Sequence, residues 1–423
     1  MRHRDYRFFL AGHAVSVLGT WMQRVAQDWL VLQLGGSGVA LGIAAALQFG
    51  PVLVLGMWGG SVADHHDRRR LVLATQAASG LLAAVLAVTT FTGLARLWVV
   101  YLLALALGLV TVVDNPARQA LLTERVPEGD YVNAQALNST VHNLGRLVGP
   151  ALAGVLIAVG GVGLAFAVNA VSFAAVLVGL VRMRPGPRLG QATPGPRPAG
   201  HRAAYEGLRF VLHRPELTAA LVLLTVISLL GQNFRVVLPL LARDELHTGA
   251  AGYGALTSAL GLGAVVGALF AAARERVGLR SLLVAAAGFA ATNLLAAATP
   301  SVGGVLIAVV ALGVANILFN TLTRTVLQLG TPAHLQGRVI ALYTLISLGT
   351  TPIGGPLLGW WSTRFGARAG LLLAGGSAMV AVLGVAGVAA RRGFLQPAPD
   401  AAVPAGDGLL RSAMETQAPG PTV

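Results

Sequence analysis

Lysine and cysteine are both absent from this chain of 423 residues, and acids are scarce: 16 Asp and Glu stand against 30 basic residues, all of them arginine. Without cysteine there are no disulfides and no thiolate metal sites. Without lysine there is no phosphate-cradling Gly-x-x-x-x-Gly-Lys-[Ser/Thr] loop, so direct ATP hydrolysis is not expected. Nine histidines lie scattered among few acids, which gives no metal-ligand cluster and no nucleophile–base set. Neither an enzyme nor a bound cofactor is therefore expected, and energy would come from an ion gradient or from the substrate gradient itself. Only 11 % of residues are charged, where a soluble domain would carry about a quarter.

Apolar sequence is what remains. Hydrophobic residues make up 55 % of the chain and the mean hydropathy is +0.72. A membrane span needs ~20 such residues, and the pattern predicts twelve spans, at about 8–34, 38–63, 71–94, 97–122, 131–158, 161–182, 216–242, 250–273, 280–298, 302–328, 337–361 and 367–390. Arg2, Arg4 and Arg7 precede a run too long for a signal-peptide core, so that run reads as the first span. The one long break separates spans 6 and 7. It begins rich in Pro and Gly and then sets Tyr205, Leu208, Val211 and Leu212 opposite Arg202, Glu206, Arg209 and His213, the pattern of a short helix lying among lipid headgroups. The expected organisation is an all-α integral membrane protein: a six-helix unit at 1–184, a linker with an interfacial helix at 185–215, a second six-helix unit at 216–392 and a disordered tail at 393–423.

The arginines orient it. With the N-terminus inside, the even-numbered loops and both termini hold 23 of the 30. Only Arg96, Arg243, Arg364 and Arg368 fall outside, and Arg24, Arg146 and Arg235 lie within spans. The positive-inside rule then puts both termini in the cytoplasm of a cell with this protein in its plasma (inner) membrane. The net charge of +14 is thus a topology signal, and nucleic acid is not an expected partner. The partners implied are the lipid bilayer and a small-molecule substrate, with a monomer as the default assembly.

Two stretches repeat. Arg118 precedes Pro150 of a Gly149-Pro150 pair by 32 residues, and Arg324 precedes Pro356 of Gly355-Pro356 by the same 32, with an offset of 206 between the copies. Related halves of this kind place a ligand site between them near the midplane.

Charges inside spans are costly and mark function by default. Asp28 and Asp114 are the two acids clearly within spans. Each has an arginine four residues away, Arg24 and Arg118, on the same helix face. They read either as local ion pairs or as protonatable carboxylates that an arginine partner releases. In span 5, Asn138, His142 and Arg146 form one polar stripe, and Arg146 has no acid in its own helix. Gly145, Gly149 and Pro150 are expected to interrupt that helix, and Gly145 and Gly149 to pack closely against a neighbour. The loop after span 2 carries Gly60-x-x-x-Asp64 followed by Arg68 and Arg69, where a small residue would admit a neighbouring helix and an acid would pair with arginine or cap a helix. Further polar candidates are Gln23, Gln48, Gln76, Asn169, Gln232, Asn233, Asn316, Asn320 and Tyr343. The second half is expected to contribute mainly amides and apolar surface, because Asn320 stands where the first half has Asp114, and Pro352 where it has Arg146.

The spans, the central break and the Gly60-x-x-x-Asp64-x-x-Asp67-Arg68-Arg69 loop resemble the major facilitator superfamily. The stretches Trp21–Val31, Asp114–Ala120 and Asn138–Gly154 are similar to the branch holding the enterobactin exporter and macrolide efflux proteins. His65 and Asp67 depart from the usual loop pattern, and Ala153 from the paired glycines that usually end the span-5 signature. The resemblance implies two pseudo-symmetric six-helix bundles that rock around a central cavity. It makes Asp64, Arg68 and Arg69 inner-gate candidates and Gly149-Pro150 the bend of span 5. Its similarity to the antiporter signature, Gly145-x-x-x-Gly149-Pro150-x-x-x-Gly154, implies export in exchange for protons. The expected function is therefore proton-coupled efflux of an amphipathic small molecule, drug-like or siderophore-like. A proton-independent uniporter or lipid carrier, and a receptor that has lost transport, are the alternatives.

Overall fold

A computed structural model describes residues 4–182, 200–273 and 277–393. The Pro-rich part of the linker and the tail beyond residue 393 lie outside the described residues. Helix dominates because a chain in hydrocarbon must satisfy every backbone N–H and C=O within itself. The helices are α1 (Arg4–Gln33), α2 (Gly38–His65), α3 (Arg68–Phe91), α4 (Leu97–Arg125), α5 (Tyr131–Arg182), α6 (Gly200–Leu212), α7 (Pro215–Val226), α8 (Phe234–Leu240), α9 (Gly249–Ala272), α10 (Leu279–Ala298), α11 (Val302–Leu329), α12 (Ala333–Gly349), α13 (Thr351–Phe365) and α14 (Ala367–Arg391).

These make twelve spans. The 52-residue α5 contains two of them, separated at Gly161, whose φ of +74° a side chain would strain. α7 and α8 together form span 7, and α12 and α13 form span 11. α1 is the least apolar span, since His13, Gln23, Gln27 and Asp28 are buried inside the protein instead of facing lipid. Local chemistry sets the joints: Asp67 accepts from the Arg70 amide at 2.9 Å to start α3, and Ser301 from Gly304 to start α11. Helix α6 packs on α12, with Val211 buried and Arg338 bonded to Glu206, while Tyr205 and Leu212 stay exposed.

The two six-helix bundles meet along two seams, α2 against α13 and α5 against α9. Both run backbone to backbone on glycine. A Cβ at Gly359 would sit 2.1 Å from the Gly38 carbonyl oxygen, one at Gly42 2.4 Å from the Pro356 nitrogen, and one at Gly254 2.5 Å from the Pro150 carbonyl oxygen. Small residues permit this approach where lipid tails supply no hydrophobic drive. The repeated Gly-Pro pairs thus mark the same joint in each half. α5 keeps helical φ/ψ through Gly149-Pro150, so the expected interruption there is not found; close packing supports the helix where Pro150 removes a donor. Span 11 does break, at Thr350, just before Pro352.

Candidate functional site: a charged cavity behind an inter-bundle ion pair

The break in span 7 creates the central feature. π-helical turns at 227–231 and 241–245 flank Gln232 and Asn233, which leave helical geometry. Asn233 is buried and its amide donates to the freed Leu229 carbonyl at 2.8 Å, while Gln232 Nε2 is buried without a partner. At the start of the next segment, Arg235 crosses to the other bundle. Its Nη2 lies 2.6 Å from Asp28 Oδ1 and its Nε 2.9 Å from Oδ2, a two-pronged bond; Nη1 donates to Gln48 Oε1 at 2.8 Å. The Tyr253 hydroxyl of α9 donates to Asp28 Oδ2 at 2.8 Å, with its ring stacked on Trp29. Asp28 is 2 % exposed. Among the described residues this is the one ion pair joining the two halves.

This corrects two expectations. Asp28 pairs across the bundles with Arg235, not with Arg24 one turn before it, because the carboxylate turns toward the second half. The second half also contributes a charge to the site, not only amides and apolar surface. Arg24 instead stacks on Trp21, 4.5 Å from the ring centroid, and its buried Nε has no hydrogen-bond partner.

Asp114 does meet Arg118, at 2.6 Å, and also accepts from Thr75 at 2.7 Å and Gln76 at 2.8 Å. It lines a cavity of about 260 Å³ walled mainly by the first bundle and by Leu348 of α12, together with Gln23, Arg24, Gln48, Gln76 and Asn169. Asn169 donates to Gln23 there. A second cavity of about 360 Å³ shares Arg118 and His142 and continues past Asn138 and Gln119 to Leu122. The polar route therefore runs from mid-span to the end of the bundles that bears the chain termini. The seams close the opposite end, where the Gly38 amide donates to Thr363 at 2.9 Å across the halves. Toward the terminus end a Cβ at Gly56, Gly60 or Gly337 would meet open space.

The remaining candidates are dispersed. His142 is exposed, with its ring 6.1 Å from that of buried His13. Arg146 sits on the α5–α9 seam, its backbone carbonyl 2.9 Å from a Cβ at Gly261. Gly145 and Gly149 pack on Val17 and Trp21 of α1. In the second half Asn320 donates to the Asn316 carbonyl at 2.8 Å and meets the Tyr343 hydroxyl at 3.3 Å, while Arg324 is exposed. Gly355 packs on Gly42.

The loop after α2 works within one bundle. Arg68 binds Glu124 at 2.7 Å and only grazes Asp64 at 4.0 Å; Arg69 donates to the Leu180 carbonyl at 2.8 and 3.1 Å and to Val181 at 3.2 Å. Both arginines staple α3 to the ends of α4 and α5, and among the described residues no bond from them crosses to the second half. The close approach expected of Gly60 belongs to its neighbour Gly59, where a Cβ would lie 2.1 Å from the Val112 carbonyl. Helix rotation of about 100° per residue turns Gly60 away. Sequence reasoning missed Glu124 and Tyr253, and noted Arg235 only as an in-span charge.

Similar proteins fit this architecture. The profile of a family described as transmembrane secretion effector matches residues 1–398. The enterobactin exporter EntS of Shigella boydii is 28 % identical over 362 residues, covering 84 % of this chain and 85 % of that protein. The staphyloferrin A transporter of Staphylococcus aureus is 32 % identical over 154 residues, 36 % of this chain and 39 % of its own length. Among solved structures, the nucleoside transporter NupG superposes with a TM-score of 0.73 at 12 % identity, over 91 % of this chain and 98 % of its own. A bacterial homologue of the human lysosomal transporter Spinster, inward-facing and unoccupied, gives 0.67 at 15 %, over 92 % and 96 %. At these identities the structural likeness speaks to fold alone.

Proposed function

Because the chain belongs to the transmembrane secretion effector family of major facilitator transporters, we propose that it exports a siderophore-like amphipathic small molecule by alternating access, in exchange for protons. The observation that carries this reading is the Asp28–Arg235 pair. It ties the halves together at one end while the polar cavity opens at the other, which is the arrangement one conformation of a rocking transporter needs. With the termini in the cytoplasm, as the arginine distribution favours, the cavity faces inward and is placed to load from the cell. The enterobactin and staphyloferrin A relatives favour a siderophore-like cargo.

Two acids serve proton coupling. Protonating Asp28 removes the charge that holds Arg235 and so unlatches the closed end. Its surroundings are Arg235, Tyr253 and, through space, Arg24. Asp114 answers to Arg118, Thr75 and Gln76 on the loading side. The test is flux in proteoliposomes under an imposed pH gradient. The parent should move substrate faster with the gradient, while Asp28→Asn and Asp114→Asn should each lose that acceleration. Flux indifferent to gradient and uncoupler in the parent would replace exchange with uniport.

A further inference from the structure

The cavity holds more positive charge than its acids neutralise. Arg24, which lines it, lies within electrostatic reach of Arg118, Arg146 and Arg235, and of a single acid, Asp28. The two buried acids nearest it are already saturated. Asp28 takes two bonds from Arg235 and one from Tyr253; Asp114 takes Arg118, Thr75 and Gln76. Among the described residues neither Arg24 nor Arg146 has an acid within ion-pair distance. Of the amides that could help, Gln48 is taken by Arg235 and Gln23 by Asn169. The Arg24 guanidinium is thus left uncompensated in the cavity wall at membrane depth, where such charge is costly unless something answers it.

We propose that Arg24 is the anion-recognition residue of the transport cavity, so that the cargo is an organic anion with at least two acidic oxygens. This rests on reading the cavity as the transport site. The guanidinium fork matches carboxylate-type oxygens two at a time. Arg24 is held for that task by its stack on Trp21, and its Nε, buried without a partner, is a donor awaiting an acceptor. Trp21, Phe49 and Phe173 line the same cavity and offer flat apolar surface to the remainder of the ligand. The second, connected cavity gives the anion a route past Arg118 and His142, with no acid among its lining residues.

The test uses purified full-length protein in lipid nanodiscs and reads ligand-induced thermal stabilisation. The probes are phthalate, an aromatic dicarboxylate; dimethyl phthalate, the same shape without charge; and tetraphenylphosphonium, a lipophilic cation. Phthalate should stabilise the parent and the other two should not. Arg24→Gln should weaken the phthalate effect at least tenfold in midpoint concentration, Arg24→Lys should retain part of it, and exposed Arg364→Gln should match the parent. Without ligand, Arg24→Gln should be as stable as the parent or more so, because it deletes an unanswered buried charge. A merely structural arginine gives the opposite pattern: lost stability with phthalate binding intact. That pattern, or a parent that binds no dianion, overturns the proposal. If dimethyl phthalate or tetraphenylphosphonium binds in place of phthalate and is carried across the bilayer, export stands and anion selection falls.

Discussion

Asp28→Asn should release the closed end of the transporter, and its size follows from the contacts. The carboxylate accepts two charged bonds from Arg235, at 2.6 and 2.9 Å, in a site where it is 2 % exposed. Removing one partner of a buried pair costs about 3–5 kcal/mol when the other charge stays buried. Here rocking opens that end to water, so Arg235 is rehydrated and only the differential bond energy counts, about 1.5–3 kcal/mol for bonds to a charged group. At 1.4 kcal/mol per tenfold, the ratio of closed to open populations should fall by about 10- to 100-fold. The chain's lack of cysteine makes it its own labelling background. Gln33→Cys at the end of α1 and Arg364→Cys at the end of α13, both exposed, place spin labels on opposite halves for distance measurement. Asp28→Asn and Arg235→Gln should each populate the longer distance, and the double variant should add little to either, since both remove the same bond. Unchanged distance distributions in both single variants, or fully additive shifts, would refute the latch.

Three further outcomes follow from the packing. Gly359→Leu forces a side chain into the Gly38 backbone, where even a Cβ has 2.1 Å, and should abolish flux and the short-distance population; Gly376→Leu, with open space around it, should leave both intact. Arg69→Ala strips three bonds from the Leu180 and Val181 carbonyls and should lower stability by about 1.5–3 kcal/mol in thermal unfolding, with Arg69→Lys recovering only part because an ammonium lacks the fork. Glu124→Gln should destabilise in the same assay by removing the anion that Arg68 meets at 2.7 Å, yet leave the label distances between halves unchanged, since that pair lies within one bundle.

The spans were legible because the bilayer imposes a length and a polarity that few other constraints override. Even so, the weakest span by hydropathy, α1, is the one that carries Asp28 and Arg24, so function costs it the apolar signal. Local spacing found the Asp114–Arg118 pair because four residues is one helical turn. The same rule misassigned Asp28, whose partner lies 207 residues away. A charge count across the halves would have helped: the two clearly in-span acids, Asp28 and Asp114, lie in the first half, while Arg235 and Arg324 are in-span arginines of the second half without a clearly in-span acid there. Nothing in the sequence rule separates Gly59 from Gly60, since only the rotational setting of α2 decides which meets Val112.

The repeated Gly-Pro pairs and the unrepeated charges divide the work of the fold. Both seams are built from glycine and backbone atoms, at Gly42 with Gly355-Pro356 and at Gly254 with Pro150 and Gly154. Such surfaces contribute dispersion but little directional energy, so two rigid bundles can rock with few specific bonds to break, the Gly38–Thr363 bond among them. Directional energy between the halves is concentrated at Asp28, where α1, α2, α8 and α9 converge through Arg235, Gln48 and Tyr253. A duplicated scaffold needs the hinge surfaces twice, which explains why they recur at an offset of 206 residues. It needs its switch once. A second ion pair at the symmetry-related place would add its strength to the same closed state and deepen it beyond what one proton or one ligand could reverse, since a ligand shifts an equilibrium only by its differential affinity for the two states.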